Sequence, residues 1–230
     1  MTTKVGLIVS DLCQVEESFL ELPEETVDTP HGPVQVKTGE KWAVICRSGF
    51  GRGYVPPHEY NSAGHMAAFK ALGLTEVVGV HSSGSLRPSL APGMLVIPDD
   101  WINFTSPTVT TISGQRRHLT PSFSQKTRQR LIDASWKAQI RFENGGVYWQ
   151  SPGPRLETRA EIKVMSNFAD IVGMGMADEV NLAQEFELEY GAVCSVDNYA
   201  NGLGPVLTDE LILNHSIKSV GVICRLLAEF

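Results

Sequence analysis

Short apolar runs alternate with helix-spaced segments along the whole chain. Residues 4–10, KVGLIVS, read as a buried first strand; 25–40 and 41–48 read as two or three antiparallel strands with Pro-Gly turns. A helical pattern over 58–73 stops at Gly73, a C-cap residue, and strands follow at 76–81 and 94–103. The segment 122–140 predicts a helix with Leu131, Ile132 and Trp136 on one face. Strand 146–150, helix 156–168, the apolar run 169–175, helix 176–191 and strand 192–200 come next, and 208–230 closes the chain as a helix with Leu211, Ile212 and Ile217 at core spacing.

Such alternation predicts an α/β fold, one domain over 1–230, with a mostly parallel sheet covered on both faces. Ligands in such sheets bind outside the carboxyl ends of the strands. Three loops qualify: HSSGSL from His81, GMGMADE from Gly173 and DNYANGLG from Asp197. The first stands out. The β-branched run Val77, Val78, Val80 empties into His81, Ser82, Ser83 and Gly84 rather than into an ordinary turn, leaving small side chains and backbone N–H groups able to approach an anion or a sugar.

Charge and composition narrow the partners. The formal net charge is -7 and no basic stripe is present, which argues against nucleic acid. No apolar run looks long enough to span a bilayer and MTTKVGLIVSD reads as a strand, so a cytoplasmic enzyme is expected, with no membrane partner. Cys13, Cys46, Cys194 and Cys224 are scattered without a C-x-x-C pair and read as free, mostly buried thiols. His58 and His65 lack a third ligand for zinc, and GMGMADE lacks dinucleotide spacing, so neither a metal nor another cofactor is expected. Asp178 and Glu179 at a helix start read first as acids favoured by the helix dipole.

Taken together, G-S-L-x-P-x-x-x-P-G-x-x-V-I-P-D-D from Gly84, G-P-R-x-E-T-x-A-E-I from Gly153 and V-G-M-x-x-x-x-E from Val172 resemble, in order and spacing, the methylthioadenosine phosphorylase and trimeric purine nucleoside phosphorylase family. The resemblance covers nearly the whole chain. It implies a nucleoside phosphorylase-like fold with a mixed central sheet flanked by helices, a homotrimer, and cleavage of the bond between a purine and a pentose. By the same resemblance Met174 lies under the ribose, Glu157 accepts from purine N1–H, and Asn198 faces O6 and N7, where charge develops on the leaving base. Leu156 stands where a stacking aromatic is common. Val206, Leu207 and Leu211 fall near the 5′ pocket, and His118 reaches it from a neighbouring subunit. Asn198 and Ala200, where 6-aminopurine enzymes carry aspartates, match a 6-oxopurine better than adenine.

The departures gather on the phosphate side. The family's G-G-T-G is Val9-Ser10-Asp11-Leu12, its R-H-G is Arg47-Ser48-Gly49, its N-Y-R-A is Asn61-Ser62-Ala63-Gly64, and Gly175, Asp197 and His81 replace hydroxyl residues. A carboxylate about 4 Å from a phosphate charge costs roughly 4 kcal/mol at an effective dielectric near 20. On that ground the expected attacker is water, with Asp11 or Asp197 as base or electrostatic stabiliser. The alternative is a phosphorylase whose phosphate site is rebuilt from Arg47, Ser10, Ser48 and Ser82; a second alternative is a non-catalytic nucleoside-binding protein.

Overall fold

Strand β5 (Glu76–Ser85) organises the molecule, which is described here from a computed structural model over residues 4–10, 19, 21–50, 53–104 and 109–230. The other strands among the described residues are β1 (Val5–Val9), β2 (Glu24–Val27), β3 (Val34–Thr38), β4 (Trp42–Cys46), β6 (Leu95–Ile97), β7 (Asp100–Ile102), β8 (Phe142–Asn144), β9 (Val147–Gln150), β10 (Ile171–Gly173) and β11 (Glu189–Tyr199). They form one mixed sheet in the order β2-β3-β4-β1-β5-β10-β9-β7, with β11, β6 and β8 branching from the other edge of β5. The α-helices described in full are α1 (Ser62–Ala71), α2 (Gln125–Lys137), α3 (Arg159–Met165), α4 (Met176–Glu185) and α5 (Asp209–Glu229). The mixed α/β architecture expected from the sequence is the one observed.

Period-two alternation distributes each strand between two cores. Ile8 and Val77 face a core that takes Met66 and Phe69 of α1 and Val180 and Leu182 of α4. Leu7, Val9, Val78 and Val80 face the opposite core, filled by Leu131 and Ile132 of α2 and by Ile223, Leu226 and Leu227 of α5. Ile162 and Met165 of α3 close a smaller cluster with Trp149 and Val172.

Four sequence expectations are corrected. His81 to Ser85 of HSSGSL and the start of DNYANGLG are strand, because β11 pairs with β5 in parallel through Tyr199↔Ser85 and supplies the ladder that a loop would lack. Trp136 is 69% exposed, resting edge-on against Phe142 outside the core that holds Leu131 and Ile132. Along α5 the core positions are Val220, Ile223, Leu226 and Leu227, while Ile217 lies on the exposed side. That helix is long and apolar enough to cross a membrane by length and composition alone, against the reading that no such run exists. His215, Lys218 and Arg225 interrupt the pattern in the sequence, whereas the folded helix lays one apolar stripe on the sheet.

Two neighbours of β5 leave a gap. β1 follows it only as far as Ile8↔Gly79, and β10 joins it antiparallel at Val172↔Gly84 and Ile171↔Ser85. Between those points, from Val80 to Ser83, that edge of β5 has no strand partner among the described residues. An opening at such a switch of neighbours is where open α/β sheets hold ligands.

Candidate active site

A cavity of about 250 Å³ occupies this gap. Ser10 and Arg47 lie on one side, Val172 to Gly175 on the other, and His81 to Gly84 form the wall between them. Leu156, Glu157, Asn198, Ala200 and Asn201 line one end, and Leu207 and Ile212 come from the approach to α5 and its first turn. Tyr54, Pro57 and Tyr60 complete the lining.

The end lined by Glu157, Asn198 and Met174 is built by three local devices. Glu157 directly precedes Thr158, the N-cap of α3, whose hydroxyl accepts from Glu161 N while Glu161 accepts from Thr158 N, a reciprocal capping box. Arg155 donates to both oxygens of Glu161 at 2.9 and 2.8 Å, and Asn201 Nδ2 donates to Glu157 O at 3.0 Å, so the loop is tied at both ends. Glu157 itself is 6% exposed and its Oε1 is buried with no hydrogen-bond partner among the described residues. Asn198 reaches the cavity through a bulge: the register of β11 on β5 shifts between Val196 and Asn198. A bulge re-aims the residues around it. Met174 is held from behind by Gly153, at φ +62°, where an added Cβ would stand 2.7 Å from Met174 Sδ.

The capping box gives a first expected result. Arg155, then the Thr158 backbone, draw the Glu161 carboxyl from 4.5 down to about 2. A carboxyl lowered on folding stabilises fully above its ordinary range, and the contribution disappears as pH falls through about 2. Titration of Glu161 followed by carboxyl-carbon NMR should therefore have its midpoint near 2; an unshifted carboxyl would mean the box is open in solution.

The other end is a buried polar cluster. Arg47, 4% exposed, donates Nε to Glu179 Oε1 at 2.8 Å and Nη2 to Glu179 Oε2 at 3.1 Å. It also donates Nη1 to Val80 O at 2.7 Å, in the gap left by β1 and β10, and Nη2 to Ile8 O at 3.3 Å. Tyr190 donates its hydroxyl to Glu179 Oε2 at 2.7 Å, and His81 Nε2 sits 3.0 Å from the Tyr190 oxygen. Burial opposes the charge on both Arg47 and Glu179, and their mutual attraction more than offsets it, keeping Arg47 above and Glu179 below their ordinary values. Burial first, then Arg47, lower the His81 imidazole, so it stays neutral. Tyr190 is pushed well up by burial and then by Glu179.

Gly79 makes that cluster possible. A Cβ there would lie 1.9 Å from the Tyr190 hydroxyl and 2.7 Å from His81 Nε2. Gly79→Ala is expected to lower stability by about 1–3 kcal/mol, the scale of overpacking in a dense core. Urea unfolding measures it, and an unchanged midpoint would show that the tyrosine is free to move aside.

The structure brings together Arg47, His81, Ser82, Ser83, Leu156, Glu157, Met174 and Asn198 around the one cavity. It separates three others. Asp197 is fully buried and does not line the cavity; its carboxylate accepts from Ser219 at 2.7 Å and from Ser195 at 3.1 Å, with the Ser82 hydroxyl also close enough to influence it. Burial raises its pKa, partly offset by those three hydroxyls. Val206 is 80% exposed, and the wall expected of it is made by Leu207 and Ile212. His118 lies exposed in a separate surface groove with Arg117, Asn181 and Gln184. Asp11 falls outside the described residues. Missed by sequence reasoning were Glu179 and Tyr190. Glu179 was assigned to the helix dipole, although it is the closing acid of the V-G-M-x-x-x-x-E motif; nothing in the sequence marks Tyr190.

A mixed sheet with helices on both faces and a cavity at the switch of strand neighbours is the nucleoside phosphorylase fold. The chain superposes on methylthioadenosine phosphorylase from Schistosoma mansoni in complex with adenine with a TM-score of 0.88, at 24% identity, over 99% of this chain and 90% of that one. The profile of the phosphorylase superfamily matches residues 4–230, and the chain belongs to that family. It is 39% identical over 195 residues to a probable 6-oxopurine nucleoside phosphorylase from Archaeoglobus fulgidus, covering 82% of this chain and 79% of that protein. It is 33% identical over 223 residues to the 6-oxopurine nucleoside phosphorylase of Pyrococcus furiosus, covering 89% and 84%. A probable S-methyl-5'-thioinosine phosphorylase from Methanocaldococcus jannaschii is 32% identical over 212 residues, covering 90% and 84%.

These relatives overturn the expectation that water is the attacker, since all three are phosphorylases. The physical reason lies with Asp197. The expectation placed its charge beside the anion, whereas the fully buried carboxylate is absent from the cavity lining and accepts hydrogen bonds from Ser195 and Ser219.

Proposed function

We propose that this protein cleaves the N-glycosidic bond of a 6-oxopurine nucleoside, or of its 5′-methylthio analogue, by transferring the pentosyl group to phosphate. The observation that carries the base preference is Glu157 Oε1, a buried acceptor at the cavity without a partner among the described residues. A 6-oxopurine supplies the missing donor at N1–H, and an unmet buried acceptor costs about 1–3 kcal/mol. Asn198, across the bulge, has one amide hydrogen on Tyr199 O at 2.9 Å and a second for N7 of the departing base. Met174 forms the platform for the sugar. Leu207 and Ile212 give the 5′ end an apolar wall, which suits an uncharged substituent.

The names of the relatives support the same reading. Inosine, guanosine, methylthioinosine and adenosine, each with and without phosphate, test it by release of free base. Release from the 6-oxo substrates that depends on phosphate is expected. Release without phosphate, or from adenosine alone, would remove the reading. The homotrimer belongs to the same proposal: His118 faces outward, away from its own cavity, where a neighbouring copy can receive it. Light scattering on the purified protein reads the mass.

A further inference from the structure

We infer that His81 is an obligate hydrogen-bond acceptor at the anion end of the cavity, and selects an anion that carries a proton, hydrogen phosphate, over one of equal charge that carries none, sulfate. This rests on the phosphorolytic reading and deepens it.

The chain of donors fixes the tautomer. Glu179 is held as a carboxylate by Arg47 and only accepts. The single hydroxyl proton of Tyr190 goes to Glu179 at 2.7 Å, so the Tyr190 oxygen faces His81 as an acceptor. His81 Nε2 at 3.0 Å must then donate, and its 3.4 Å approach to Glu179 Oε2 requires a proton there as well. A neutral imidazole protonated at Nε2 has a lone pair at Nδ1. That nitrogen bonds to no described residue, and His81 lines the cavity.

The surroundings reinforce the preference. Four of the five guanidinium donors of Arg47 are committed to Glu179, Val80 and Ile8, which leaves one N–H on Nη1. The Arg47–Glu179 pair carries no net charge. The lone pair of His81 Nδ1 thus lines the cavity, and a fully deprotonated oxyanion meets it with repulsion. A P–OH group meets it with a hydrogen bond.

Equilibrium binding of phosphate and of sulfate, by calorimetry on the intact protein at neutral pH, tests the inference. Wild type is expected to prefer phosphate by about tenfold or more, and His81→Thr and His81→Asn, which can each donate, to shrink that ratio about tenfold. A loss of general order at the site would weaken both anions together and leave the ratio standing. Sulfate bound as tightly as phosphate by wild type would overturn the assignment with no variant needed; so would a ratio untouched in both variants. Phosphate-dependent base release is scored separately. Its absence removes the phosphorolytic reading, whereas its presence with an unselective anion site removes only the role of His81.

Discussion

Glu179→Leu is expected to destabilise the protein by about 3–5 kcal/mol, the cost of leaving one member of a buried ion pair without the other. Arg47 and Glu179 have side chains 3% and 1% exposed, so neither charge has water to fall back on. The same substitution orphans the Tyr190 hydroxyl, whose proton goes to Glu179 Oε2, and releases the tautomer of His81. Replacing both members, Arg47→Met with Glu179→Leu, is expected to recover much of the loss, because a well-packed apolar pair avoids the desolvation of two ions. The double variant should be stable and inactive, while the single variant is both unstable and inactive. Urea midpoints of the four proteins close the cycle, and additive losses would show that the two groups do not act as a pair. A local readout accompanies it. Asp178 is pushed from 3.8 up to about 6 by burial first and by Glu179 second, so its titration should move down when Glu179 is gone.

How far the sequence alone leads depends on whether a feature is local. The strands and helices follow from periodicity because each is a contest between one face and water, and Val77, Val78 and Val80 sort between two cores as their alternation requires. That Glu157 and Asn198 line one cavity was legible through motifs, since Glu157 precedes a helix cap and Asn198 sits at the end of a strand at fixed spacing. What escaped is non-local. Tyr190 is 109 residues from His81 and Glu179 is 132 from Arg47, so no spacing connects them. Asp197 was misplaced for a different reason. Alternation along β11 gives no warning of the register shift between Val196 and Asn198, and that shift decides which of two adjacent polar residues lines the cavity and which is buried beneath it. Trp136 shows the converse error, an apolar residue at core spacing on a helix whose buried stripe is narrower than the pattern suggested.

Glu157→Gln is expected to lower kcat/KM for inosine by about two orders of magnitude, the value of a hydrogen bond to a charged acceptor in a buried site. The size follows from isolation. Glu157 is 6% exposed and Oε1 has no partner among the described residues, so under the proposed function substrate N1–H would be the donor that completes it. An amide in its place still accepts but without the charge, and it brings an N–H that faces N1–H with repulsion in one of its two orientations. The same N–H suits adenine, whose N1 is an acceptor and which the native carboxylate opposes. The ratio of inosine to adenosine turnover should therefore fall further than inosine turnover itself, because the numerator drops while the denominator rises. Fold is not at issue in this variant, since Thr158, Glu161 and Arg155 hold the loop without the Glu157 side chain. Parallel kinetics with both nucleosides at saturating phosphate decide it: equal loss on the two would assign Glu157 to the general architecture of the loop, and only a change in their ratio places it on the purine edge.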